Sequence, residues 1–127
     1  MIPVCTKKSG TADFSLRQMN YLTVHGVSVK TFGMTVEEFL NTLQLEHPPD
    51  HFPPLLRALW YEKKGDWNTA HRLVQTIHTP RACRIHAYLH RRNGDNENAA
   101  YWYQKARQPY PSVDPEKEWE ILLAKLL

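Results

Sequence analysis

In RIHAYLHRRNGD, residues 84 to 95, His86 and His90 stand four residues apart. On a helix that spacing puts both imidazoles on one face, with Cβ atoms about 5 to 6 Å apart, close enough to share a metal ion. Zinc needs three or four ligands, and the sequence offers Cys83, one turn before His86, and His71, on the preceding segment, as further donors. The metalloprotease pattern H-E-x-x-H is absent, because Ala87 stands where its general base would be. The opposing expectation is a pair of interior histidines held in a polar network, since an unpaired buried polar group costs about 1–3 kcal/mol and must find partners. Tyr61, Asp66, Trp67, Asp95 and Tyr103 are candidate partners. The sequence favours this account: His86 and His90 mostly buried and hydrogen-bonded, His71 adjacent, and no cofactor, with zinc the ion that a metal centre here would take. Cys83 and His86 are the one local pair with the types for nucleophile and base, but no oxyanion donors accompany them, and no catalytic residue is assigned.

The segments that must position these side chains read as helices. Thr35 and Glu38 form a capping box, and Met34 and Phe39 have the spacing of a hydrophobic staple, which starts a helix with Phe39, Leu40 and Leu43 on one stripe. The prolines of EHPPDHFPP break the chain and suit the first turn of a second helix, over residues 54 to 64. Gly65 supplies a left-handed stop, and a third helix over 67 to 78 ends at Pro80. A fourth covers 81 to 93 and stops at Gly94, a fifth covers 97 to 107, and Asp114 caps a sixth that begins at Pro115. Its apolar stripe is Trp119, Leu122, Leu123 and Leu126. In the fifth helix Trp102 and Tyr103 face inward and Tyr101 outward.

Laid side by side, these helices repeat. Gly65-Asp66 recurs as Gly94-Asp95, Ala58 as Ala87, Ala70 as Ala99, Gln75 as Gln104 and Pro80 as Pro109, all at an offset of 29 residues. The second unit, with Ala87, Gly94-Asp95 and Ala99-x3-Tyr103, resembles a tetratricopeptide repeat, and the first matches through Ala58, Tyr61, Ala70, Val74 and Pro80. The period is shorter than the usual 34, and Cys83, His86 and His90 fill slots that are apolar in that pattern. The string IHAYLHRRNGDNENAAYWYQKA also resembles a small helical family of bacteria and fungi with the pattern HA-x2-HR-x2-GD-x2-NA-x-YW, a likeness that brings no activity with it. The resemblance implies an all-α fold: two stacked helical hairpins with flanking capping helices.

One domain with an N-terminal tail is expected. Residues 34 to 127 form the helical domain, and residues 1 to 33, with a β-prone patch over 21 to 32, are either an upstream extension, with Met34 the initiator, or a short arm packed on it. The chain has 127 residues, 42% hydrophobic and 23% charged, and no run of about 18 apolar residues that would span a bilayer. The start lacks a secretory signal, which points to the reducing cytoplasm and to free thiols at Cys5 and Cys83. A net charge of +3 is too mild to imply nucleic acid, although Arg81, Arg84, Tyr88, Arg91 and Arg92 form a stripe of the kind that contacts phosphate or RNA. Helical stacks leave grooves, so the first functional expectation is a non-enzymatic module for a protein or peptide partner. The alternative is a small-molecule or metal pocket centred on His71, His86 and His90. Tyr61, Trp67, Tyr101 and Trp102 complete the candidate ligand-binding residues. Oligomeric state has no signature in the sequence.

Overall fold

The structure is a computed structural model that describes residues 33–127. The β-prone patch over 21 to 32, Cys5 and most of the expected extension lie outside the described residues. Six helices follow one another: α1 (Val36–Thr42), α2 (Pro54–Lys63), α3 (Trp67–Val74), α4 (Pro80–Arg92), α5 (Asn96–Lys105) and α6 (Pro115–Leu126), with no strand among the described residues. None of these helices is long and apolar enough to cross a membrane.

Each start is written locally. Pro54 and Pro80 occupy the first turns of α2 and α4, where a missing N–H costs nothing. Thr79 caps α4 by accepting from Ala82 N–H at 3.1 Å, Asp66 and Asp95 cap α3 and α5, and Asp114 accepts from Lys117 N–H at 2.8 Å. The two turns Gly65-Asp66 and Gly94-Asp95 share one hydrogen-bond plan. Asp66 N–H donates to Tyr61 O and Asp95 N–H to His90 O, at 2.8 and 2.9 Å, around glycines at φ +91° and +79°.

Two expectations need correction. The third helix stops at Val74 instead of running to 78, with Gln75 as its cap, and Thr79, the residue before Pro80, is extended (φ −73°, ψ 156°) as the cap of α4. The stripe of the first helix is narrower than expected: Phe39 is fully buried, but Leu40 is 41% exposed and Leu43 lies beyond a helix that ends at Thr42.

Within residues 36–126, α2 packs on α3, α4 on α5, α3 on α4, and α6 closes on α2 and α4. The core joins Leu56, Leu59, Trp60, Ile85, Leu89, Trp119 and Leu123, with Phe39 stacked on Phe52 at 5.6 Å and tilted against Trp119 at 6.0 Å. Buried indoles find acceptors: Trp60 donates to Thr42 O and Trp119 to Leu59 O, at 3.3 and 3.2 Å. One charge is sunk in this core. Glu118 is fully buried, receives Arg91 Nη1 at 2.8 Å and accepts Tyr103 O–H at 2.6 and 2.7 Å. Arg91 also donates to Val113 O, so the α6 entry loop is tied to α4. Sequence reasoning passed over Glu118, although it stands one turn before Leu122 and so on the buried face of α6.

Candidate metal centre

Where α3 and α4 meet, the i, i+4 arithmetic operates twice. Trp67 and His71 share a face of α3, and His86 and His90 share a face of α4. The packing of α3 on α4 turns these faces together, so that one ligand atom from each of His71, His86 and His90 lies within 4.8 Å of the others. His71 Nε2 and His86 Nε2 are 3.0 Å apart and share a hydrogen bond, which requires one ring to carry its proton there and the other to be bare.

Two indoles hold the rings. Trp67 lies flat on His71 (4.8 Å between centroids, 10°), and its N–H is fixed to Leu89 O at 2.6 Å. Trp102, from α5, lies flat on His86 at 4.0 Å and 20°. His86 in turn stacks on His90 at 5.0 Å, and His71 meets both edge-on, at 4.7 and 5.2 Å. His86 is 4% exposed, while His71 and His90 are half-buried.

The environment disfavours the charged form of all three imidazoles. Burial, reinforced by the neighbouring histidines His71, His90 and His78, pushes His86 down to about 4. Burial, and then the charge of His90, lowers His71; burial also lowers His90, against the pull of Asp95. Neutral imidazole is the ligand form. His90 Nδ1 is buried without a hydrogen-bond partner, 3.8 Å from Asp95 Oδ2. Asp95 is already engaged as the α5 cap, accepting from Asn98 backbone N–H and Nδ2 at 3.3 and 2.8 Å, and Asn98 holds its carboxyl below the usual range. Zinc–nitrogen bonds of about 2.0–2.1 Å in a tetrahedral site put ligand nitrogens about 3.3 Å apart. The 3.0 Å of the first pair and the 4.8 Å limit of the set straddle that separation.

Of the residues named from sequence, Trp67, His71, His86, His90 and Trp102 converge. Tyr61 instead packs edge-on to Trp60 at 5.2 Å, and among the described residues no ring contact joins it to the histidines. Tyr101 is 51% exposed, stands edge-on to Trp102 at 5.3 Å and lies under Lys105 Nζ. Cys83 is a buried free thiol outside the histidine group. Tyr103, expected as a histidine partner, serves Glu118, and burial followed by that carboxylate raises its phenol well above the usual range. The basic stripe also divides. Tyr88 is buried and donates to Glu62 Oε1 at 3.0 Å, and Arg91 and Arg92 are paired with Glu118, Glu62 and Glu116, so no aromatic interleaves with free guanidinium groups. Against family models, curated proteins and solved structures, the chain has no match.

Proposed function

We propose that this chain is a metal-binding helical protein in which His71, His86 and His90 hold a zinc-type divalent ion through three imidazole nitrogens. The observation that carries this reading is the convergence of one ligand nitrogen from each of three imidazoles on two helices, all within 4.8 Å of one another. Three histidines form a recurring zinc donor set, and an ion held by His71, His86 and His90 would supply a Lewis acid able to lower the pKa of water toward neutrality. Ligation of His90 through Nε2 would leave the proton on Nδ1, whose nearest carboxylate oxygen, Asp95 Oδ2 at 3.8 Å, would need to approach by several tenths of an ångström to accept it. Trp67 and Trp102 hold the rings in place and exclude water from one side of each.

In plan the protein reads as tetratricopeptide-like, two hairpins α2–α3 and α4–α5 offset by 29 residues, which the matching turns at Gly65 and Gly94 support. In that plan the metal ligands sit at the junction between units. The test is uptake by the chelator-treated full chain. One Co2+ per chain with the visible bands of a tetrahedral site, displaced by Zn2+ and abolished by His71→Ala or His90→Ala in variants that keep their helical circular dichroism, is the expected result. Uptake well below one ion per chain, or uptake that survives both substitutions, overturns the proposal and leaves the rings as an interior polar network.

A protein or peptide partner is the second reading, favoured by Tyr101, half of whose surface is exposed beside Trp102 on α5. A peptide selected against the full chain and lost on Tyr101→Ala would support it; selection insensitive to that change would remove it.

A further inference from the structure

The arginine stripe singled out in the sequence is neutralised only at its C-terminal end. Arg91 and Arg92 carry carboxylate partners, whereas no ion pair among the described residues involves Arg81, Arg84 or Lys125. These three cations line one cleft of about 550 Å3, and no acidic residue is among its walls. Leu55, Ile85 and Leu122 supply the apolar part of the lining. Arg84, one of the lining side chains, has its Nε buried without a hydrogen-bond acceptor, a guanidinium donor removed from water and left unused. The cleft also takes in Thr79 and Pro80, where α4 begins, and the positive end of that 13-residue helix adds to the field of the side chains.

Burying a guanidinium donor with no acceptor is unfavourable, and three like charges around one apolar hollow repel one another. An anion relieves both. The cleft volume falls in the range that encloses small molecules, and its walls offer a charged end and an apolar body. We infer that this cleft binds a small organic phosphate, its dianionic group held by Arg81, Arg84 and Lys125 and its apolar portion laid against Leu55, Ile85 and Leu122. Arg84 is the central contact, through a fork of donors that matches phosphate oxygens. None of the three histidines lines this cleft, so the inference stands apart from the metal reading.

The experiment is a calorimetric titration of the chelator-treated full chain with phenyl phosphate, inorganic phosphate and benzoate. Phenyl phosphate is expected to bind with one site per chain, about tenfold more tightly than either of the others, because only it offers both the dianion and the ring. Arg84→Gln is expected to weaken it about tenfold or more, and Lys125→Gln, on a residue exposed on α6, to weaken it measurably without disturbing the fold. Lys105→Gln, outside the cleft, is expected to change nothing. No saturable binding in the millimolar range overturns the inference, as does binding that ignores both substitutions or responds equally to Lys105→Gln. Benzoate as tight as phenyl phosphate overturns the assignment of a phosphate. A short single-stranded RNA that binds more tightly and displaces phenyl phosphate would make the site one for nucleic acid instead.

Discussion

His86 is enclosed by Trp102 on one face and by the rings of His71 and His90, so its side chain is costly to remove from the metal-free protein. His86→Ala is expected to destabilise the chain by about 2–4 kcal/mol in urea unfolding, from the cavity it leaves and the hydrogen bond that His71 loses. A cost near zero would mean that the ring faces open space. Glu118 is the second residue on which much depends. Its fully buried carboxylate answers Arg91, whose side chain is 13% exposed, and Tyr103, so Glu118→Ala strands a guanidinium and a phenol at once. We expect a loss of about 3–5 kcal/mol, read in the same unfolding experiment, and a smaller loss for Glu118→Gln, which keeps an acceptor for the phenol. The histidines were legible as a possible cluster because i, i+4 spacing declares itself. The carboxylate was not, because a single Glu ahead of an apolar stripe looks like an ordinary exposed first-turn residue.

At the scale of the elements, the turns at Gly65 and Gly94 set where α2 and α4 end. Gly65 and Gly94 sit at φ +91° and +79°, and a Cβ built on either meets nothing within 4 Å. The cost of alanine there is therefore conformational, not steric, at about 1 kcal/mol for each site. Gly65→Ala and Gly94→Ala are expected to lower the unfolding free energy by similar amounts, since the flanking hydrogen bonds match. A neutral result at one site only would show that the two turns are not equivalent. The starts of α2 through α6 were readable because prolines and capping side chains act within a few residues. The end of α3 was not, since no glycine or proline stands among residues 75 to 79 to mark it.

For the folded unit as a whole, the histidine cluster sets the response to acid. His86 titrates at about 4 in the fold against 6.5 as an ordinary histidine, and His71 and His90 are lowered in the same direction. Between those values the unfolded chain binds protons that the folded chain does not, so stability rises with pH through that interval. The metal-free protein should therefore hold the full contribution of His86 above pH 6.5 and lose it as pH falls toward 4, with His71 and His90 acting in the same direction. Thermal unfolding of the chelator-treated chain across this range checks the sign, and His86→Gln should flatten the slope. Zinc should raise the melting temperature at neutral pH and do so less at pH 5, because protons compete for the same nitrogens. An equal shift at both values would place the ion elsewhere.

The sequence by itself determined the helical class, the order of the elements from α2 to α6, and the pairing of His86 with His90. All three follow from signals that act over a turn or two of chain: prolines, caps, left-handed glycines and the 3.6-residue period. Only the tertiary structure decided that His71 completes the group while Cys83 and Tyr61 do not, because that depends on how α3 is rotated against α4. It also decided that the arginine stripe splits, Arg91 and Arg92 meeting acidic residues of α2 and α6 while Arg81 and Arg84 open on a cleft. Residues 24 to 30 apart in the chain become partners there, and no local periodicity records which helix will lie across another.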